Sequence, residues 1–486
     1  MSFDRTDRLR AGDRVLVGEH LIAIDEGFAA TLEPGDRVLG VAGTGDILRV
    51  PKSESDLVSK SVAAAAQAFI EMRECSDEAI SKFYEVFAQL LDSPDVVGEI
   101  IAANALDVAD AQTRGRSTTR LEFTDSMRRD MIDALRIWQK FRAEREVTTE
   151  TVVHDGWTID AVTSPLGVVG FIFEGRPNVF ADATGVLRTG NTCVFRIGSD
   201  ALRTATAIMT HAIEPALRLS GLPSGAIVLI DAKSHAAGWA LFSDKRLALA
   251  VARGSGAAVS QLGAIARQAG IAVSLHGTGG AWLIAGEHCD ASVFESAVEH
   301  SLDRKVCNTL NVVCIVRSRA ADLLPSFQIA VVKAAAARGT NPVVHLVPDE
   351  IFETFSFDSG VDVHELAVDS LATEWEWENA PECSVLIVDD LGSAVSLCNE
   401  YSPQFVVSII SDDEGERDFV WRHVNAPFVG DGMTRWVDGQ FALLRPELGL
   451  SNWQSGRMLG RGAILSGDSV HTVRYRVTQD DKDLRR

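Results

Sequence analysis

Hydrophobic spacing changes character along this chain, and each change predicts a different kind of element. From about residue 53, Leu57, Val58, Val62, Ala65, Ala66 and Phe69 recur every three to four positions, the spacing of one helix face. The same stripe predicts helices over 80–91, 96–111 and roughly 126–144. Residues 151–163 alternate instead around Asp155-Gly156, the pattern of a hairpin closed by a tight turn. The run 166–173 is apolar apart from its glycines and predicts a buried strand. Strands over 192–195, 226–230 and 247–251 follow, separated by helical spacing. Strands and helices alternating at that length predict a parallel sheet in a doubly wound domain. Residues 272–430 repeat the alternation and predict a second α/β domain.

The first 51 residues follow neither rhythm. Gly12-Asp13-Arg14-Val15-Leu16 recurs as Gly35-Asp36-Arg37-Val38-Leu39, each copy a turn leading into an apolar run. With the runs 21–24 and 47–50 they predict a small all-β unit of hairpins. At the other end, 471–477 alternate as a strand awaiting a partner, another subunit being one candidate, and the tail 479–486 is polar.

Composition narrows the picture by exclusion. A chain of 486 residues exceeds one ordinary core, so two or three domains are expected. Hydrophobic and charged fractions of 46% and 23% are those of a globular protein. A formal charge of −22 argues against nucleic-acid partners, since phosphates would be repelled. Seven cysteines without a CxxC pair fit reduced thiols, not a disulfide framework or a zinc site, so no metal is predicted. No apolar run reaches the roughly 18 residues of a membrane helix, and the N-terminus lacks a signal-peptide core. No membrane association is predicted, and the expected location is cytoplasmic.

Among the thiols, Cys307 stands in the stretch Asp303-Arg304-Lys305-Val306-Cys307-Asn308-Thr309, just before a strand-like run at 312–316. Positive neighbours favour the thiolate, and Arg304 and Lys305 precede it. On position alone a small buried hydrophobe is the better reading, as for most free cysteines.

Longer motifs reverse that balance. Residues 164–179 read Ser-Pro-Leu-Gly-Val-Val-Gly-Phe-Ile-Phe-Glu-Gly-Arg-Pro-Asn-Val, and 190–199 read Gly-Asn-Thr-Cys-Val-Phe-Arg-Ile-Gly-Ser. With Ala103-Asn104-Ala105-Leu106-Asp107, Arg253-Gly254-Ser255-Gly256, Val306-Cys307-Asn308, the run 434–439 and Glu447-Leu448-Gly449-Leu450-Ser451, they form an ordered series. The series resembles the γ-glutamyl phosphate reductase (glutamate-5-semialdehyde dehydrogenase) branch of the aldehyde dehydrogenase superfamily, from about residue 56 to 478.

The resemblance implies an aldehyde-dehydrogenase-like α/β fold: a Rossmann-type NADP-binding domain (52–271) carrying an oligomerisation hairpin (151–163), a catalytic domain (272–430), and a C-terminal return and oligomerisation arm (431–486), with the small all-β extension (1–51) falling outside it. It implies that Cys307 attacks an acyl phosphate and that NADPH reduces the resulting thioester to an aldehyde. Asn178 and the backbone N–H of Cys307 become candidate oxyanion donors. Arg176 offers a forked donor to a phosphate or carboxylate, a part that Arg304 or Lys305 can equally play, and Asn308 joins the substrate set. Arg196 is placed beside the adenosine ribose, where an arginine suits a 2′-phosphate. Gly198, Ser199, Gly254, Ser255 and Gly256 complete the cofactor set. By analogy a homodimer or homotetramer is expected, with 1–51 a candidate contact for a kinase or carrier protein.

The departures bear on substrate. Where the family carries Glu-Thr-Gly and then Gly-Asn-Cys-His, this chain has Leu275-His276-Gly277 and then Gly279-Gly280-Ala281-Trp282. Ile197 replaces a glycine, and Asn311 stands where the family has a glutamate. Reduction of an activated acyl group needs no activated water, so the changes permit the chemistry while loosening the substrate assignment. His276 is a possible replacement acid or base, although a structural role is the plainer reading. Three readings follow: an acyl-phosphate reductase, an acylating dehydrogenase using CoA or carrier thioesters, and a weakened relative that binds a partner through 1–51.

Overall fold

The computed structural model describes residues 9–116, 118, 121–142, 145–436, 442–454 and 456–485, so motif positions 437–439 lie outside the described residues. Two compact units emerge, the first 1–277 with 445–448 and 466–486, the second 278–444 with 449–465.

The first unit opens with hairpins β1 (Arg14–Val17) with β2 (His20–Ala23), and β3 (Arg37–Val41) with β4 (Asp46–Val50). The repeated Gly-Asp turn explains both. Gly12 and Gly35 adopt φ of +85° and +88°. Asp13 and Asp36 each accept from the backbone N–H three residues earlier, at 2.6 and 2.8 Å. The hairpins face each other closely: a Cβ on Gly40 would lie 2.8 Å from Val17, and one on Gly18 would lie 2.7 Å from the Ala42 carbonyl. The expectation of an all-β extension needs one correction. Glu26–Thr31 is a short helix, because Asp25 caps it by accepting from Phe28 N–H at 2.7 Å.

The helical stripes form α1 (Lys52–Glu71), α2 (Asp77–Asp92), α3 (Pro94–Thr113) and α4 (Asp125–Lys140). Ser76 and Thr124 cap α2 and α4 through their hydroxyls. Next comes the hairpin β5 (Thr148–His154) and β6 (Trp157–Pro165), with Gly156 at φ +81° in its turn.

Strands β7 (Val168–Phe173), β8 (Thr192–Ile197), β9 (Ile227–Leu229), β10 (Leu247–Arg253) and β11 (Ala272–His276) form a parallel sheet in the order β11-β10-β7-β8-β9. The order reverses between β7 and β10, the place where doubly wound sheets open a ligand crevice. Helices α5 (His235–Phe242) and α6 (Gly256–Gln268) pack with α1 on one face of this sheet. Val41 and Val50 of the second hairpin are fully buried in the same cluster as Val58, Val62, Ile172 and Val194.

In the second unit, β12 (Ala281–Ala285), β13 (Leu310–Val316), β14 (Val343–Leu346), β15 (Asp362–Glu365), β16 (Glu382–Val388), β17 (Val406–Ile410) and β18 (Phe428–Gly430) form a parallel sheet in the order β15-β14-β16-β13-β12-β17-β18. Helices α7 (Ala291–Ser301) and α8 (Ala320–Ala336) bury Phe294 and Phe327 against one face. The helix Glu414–His423 is anchored at its acidic start. Asp413 caps it at Glu416 N–H, and Glu416 turns inward to accept from Ser411 and Glu287.

The last strand, β19 (His471–Gln479), finds its partner within the chain. It pairs antiparallel with β6 over nine residues, His471 opposite Pro165 and Gln479 opposite Trp157. Among the described residues no helix is long and apolar enough to cross a membrane.

Candidate active site

The second unit places Cys307 in the loop before β13, half-buried, at the amino ends of the neighbouring interior strands β13 and β12, where the Gly279-Gly280 turn enters β12. The loop is held from within: Thr309 Oγ1 donates to the Arg304 carbonyl at 2.6 Å and accepts from Val306 N–H at 2.8 Å. Asn308 is completely buried and serves as its anchor. Its side-chain oxygen accepts from Arg435 Nε at 2.9 Å, and its carbonyl accepts from Thr434 Oγ1 at 2.7 Å. Arg435 also pairs with Asp303. Apolar side chains, Phe405, Val406, Leu450 and Ile464 among them, pack around the thiol.

The glycine turn presses on this loop. Gly280 N–H donates to the Cys307 carbonyl at 2.7 Å, with φ of +103° at Gly280. A Cβ on Gly279 would stand 2.6 Å from that carbonyl oxygen and 2.8 Å from Cys307 Cα. Only glycine fits so near a backbone that cannot withdraw.

The Lys305 side chain is largely covered and ion-paired, its Nζ 2.6 Å from Glu374 Oε1. The other carboxylate oxygen of Glu374 accepts from Gly279 N–H at 2.5 Å. Glu374 is the residue that sequence reasoning missed, being far along the chain in an irregular segment. Asn311, standing where the family has a glutamate, sets it in place: its amide donates to the Thr373 carbonyl at 2.8 Å and accepts from Trp375 N–H at 2.9 Å. Trp282, at the family's histidine position, lies wholly buried in the sheet's core beside Ile284, Val312 and Cys314. The other six cysteines are poor nucleophiles. Burial pushes Cys289, Cys383 and Cys398 up to about 12, Cys193 and Cys314 well above their usual range, and Cys75 upward.

In the first unit, Arg176 and Asn178 follow β7, Gly198 and Ser199 follow β8, and Gly254 to Gly256 follow β10. All three loops stand at the carboxyl ends of parallel strands. The Asn178 side-chain oxygen is buried without a hydrogen-bond partner, while Arg176 is exposed. Arg196 lies inside β8, almost fully buried. It donates through Nη2 to the Lys233 and Ser234 carbonyls at 3.1 and 3.2 Å, and its Nε is buried without a partner. Arg253 donates to the Leu448 and Glu447 carbonyls at 2.7 and 2.5 Å. Burial, with Arg253 and Arg176 nearby, pushes His276 down to about 3. The imidazole is therefore neutral near pH 7 and has no proton of an imidazolium to give.

A model of the aldehyde dehydrogenase family matches residues 41–348. The chain belongs to the aldehyde dehydrogenase family. The γ-glutamyl phosphate reductase of Brucella anthropi is 27% identical over 397 residues, covering 79% of this chain and 87% of that protein. The solved structure of γ-glutamyl phosphate reductase from Thermotoga maritima shares the fold with a TM-score of 0.77 at 22% identity, over 89% of this chain and 100% of that one. An engineered glycolyl-CoA reductase with bound NADP+ shares it at 0.60 and 15% identity, over 88% and 98%.

Membership of the aldehyde dehydrogenase family goes with NAD(P)(H) as cofactor, and the five-stranded sheet is a parallel, Rossmann-like one. Its residues fit a dinucleotide. The N-terminus of α6 already receives an anion at the strand-order switch, Ser255 N–H donating to Glu174 Oε1 at 2.6 Å. Backbone comes close there because position 254 is glycine; a Cβ would lie 2.5 Å from that carboxylate. Gly198, Ser199 and Gly254 to Gly256 stand at these strand ends, where they could hold a dinucleotide.

Proposed function

We propose that this member of the aldehyde dehydrogenase family is an NADPH-dependent reductase of an activated acyl group, with γ-glutamyl phosphate or a close acyl phosphate as substrate. The observation that carries the reading is the contrast among the thiols. Five of the others are buried and Cys75, half-buried like Cys307, is pushed upward by desolvation, whereas Cys307 stands in a loop pinned on both flanks.

In the proposed cycle, Cys307 Sγ attacks the acyl carbon, the carbon–oxygen bond to phosphate breaks, and a thioester remains. NADPH, when bound, supplies the hydride that reduces it. The thiohemiacetal then expels the Cys307 thiolate as the aldehyde forms. The roles of Asn178 and the Cys307 backbone N–H toward the oxyanion, and of Arg176 and Arg304 toward the anionic parts of the substrate, rest on the family resemblance. Lys305 is committed to Glu374 and Asn308 to Arg435, so both act through the loop's geometry. His276, held down at about 3, is too weak a base to take a proton from water near neutral pH, and Trp282 is buried in the core, so neither position supplies a general base for hydrolysis. That favours reduction of an activated acyl group over aldehyde hydration chemistry. The preference for a 2′-phosphate remains with Arg196, Ser199 and their loop.

A second reading, an acylating dehydrogenase using CoA thioesters, draws on the fold shared with the glycolyl-CoA reductase and differs only in leaving group. One assay separates them: NADPH oxidation with enzymatically generated γ-glutamyl phosphate or an acyl-CoA panel. Turnover with the acyl phosphate, reduced at least ~10³-fold in Cys307→Ala, supports the first reading. Turnover with CoA thioesters alone replaces it, and turnover with neither removes both.

A further inference from the structure

We propose that Glu374 is a positioning residue for Cys307, holding the thiol's loop against the glycine turn while cancelling the charge of Lys305. The proposal builds on the reading of Cys307 as nucleophile. One carboxylate oxygen takes Gly279 N–H at 2.5 Å and the other takes Lys305 Nζ at 2.6 Å. These contacts sit on the turn pressed against Cys307 and on a residue two positions before it. A single side chain therefore fixes the loop from two sides.

Glu374 is itself held in place. Asn311 grips the backbone on either side of it, at Thr373 and Trp375. The Trp375 ring stacks on His345 with centroids 3.6 Å apart, and its Nε1 donates to Ser384 at 2.8 Å. The carboxylate thus arrives on a rigid platform. Substituting Asn311 by glutamate would leave the Thr373 carbonyl without its N–H donor.

Neutralisation has a chemical consequence. Lys305 by itself would favour the thiolate of Cys307, and Glu374 offsets it. Among the described residues, other charges at the loop are Arg304, the Asp303–Arg435 pair and Arg338, whose Nη1 donates to the Asp303 carbonyl at 2.8 Å, while the side chains of β12, β17 and β18 that pack on the thiol are apolar. The Lys305–Glu374 pair therefore sets how much positive charge the thiol meets.

The test follows alkylation of Cys307 by iodoacetamide as a function of pH, read on the Cys307 peptide by mass spectrometry in the full chain. Glu374→Gln keeps an acceptor for Gly279 N–H but removes the charge. Its midpoint is expected about 0.5–1 pH unit below wild type. Lys305→Met leaves the carboxylate alone and is expected to shift the midpoint upward by a similar amount. A merely structural role moves neither midpoint. Coincidence of all three within about 0.2 pH unit overturns the proposal, since a pair within reach shifts a titration by more than that. Should Glu374→Gln fail to fold, Lys305→Met decides alone, an unmoved midpoint overturning it. The order Gln variant, wild type, Met variant supports the proposal even in a protein that reduces no acyl phosphate, so the two readings fail separately.

Discussion

His276 and Asp182 lie among the same guanidinium groups, yet their environments push them in opposite senses. Burial, then Arg253 and Arg176, lowers His276 from its usual 6.5 to about 3. Burial raises Asp182 from 3.8 to about 7, with Arg253 and Arg176 pulling back and Glu447 adding to the rise. The consequences for stability have opposite signs. An unfolded chain protonates the histidine near 6.5 while the folded chain resists, so stability is lost as pH falls from there toward 3. Folded Asp182 keeps its proton where the unfolded chain has released it, so stability is lost as pH rises from about 4 to about 7. His276→Gln is expected to flatten the acid side of a Tm-against-pH profile, and Asp182→Asn to flatten the neutral side and raise Tm above pH 7. Thermal denaturation from pH 4 to 8 checks both, and profiles parallel to wild type would refute them.

At the scale of elements, the turn into β12 decides the geometry of the thiol loop. Gly279→Ala would force a methyl group to within 2.6 Å of the Cys307 carbonyl oxygen and 2.8 Å of its Cα, neither of which is the end of a flexible side chain. The loop must move. Displacing a nucleophile by about 1 Å can cost on the order of 10²-fold in rate, so kcat/KM is expected to fall by about that factor. Overpacking is expected to cost about 1–3 kcal/mol. Steady-state kinetics beside a denaturation curve would show it, and wild-type kinetics in the alanine variant would argue against the contact. The sequence made the glycines and Cys307 visible because motif and local spacing carry them. Glu374 was invisible because its bonds to Gly279 and Lys305 close only through tertiary packing, from 95 and 69 residues away. The pairing of β19 was hidden for the same reason. Alternation at 471–477 announces a strand but not which edge it meets, and β6 lies some 300 residues earlier.

For the whole molecule, the extension poses the sharpest question, since it lies largely before the matched family region. Its two hairpins are not equivalent. The second belongs to the first unit's core, with Val41 and Val50 fully buried among Val58, Val62, Ile172 and Ala240. It is also tied down by polar contacts: Gln268 donates to the Gly40 carbonyl at 2.7 Å, Gln261 to Asp46 at 3.0 Å, and Ala42 N–H donates to Gln268 at 3.2 Å. The first hairpin buries Val17 and Ile24 but leaves Leu16 and Leu21, opposite each other in register, 71% and 63% exposed. Each buried valine is worth about 1.5–3 kcal/mol, and removing the second hairpin also uncovers the helices beneath it. Deleting residues 1–51 is therefore expected to lower Tm by several degrees and to raise binding of a hydrophobic dye. Deleting 1–31 is expected to cost less, because the hairpin 37–50 stays docked. Equal losses from the two deletions would show that the first hairpin carries the stability. No loss from the longer one would show that the cluster around Val41 and Val50 contributes nothing to the first unit.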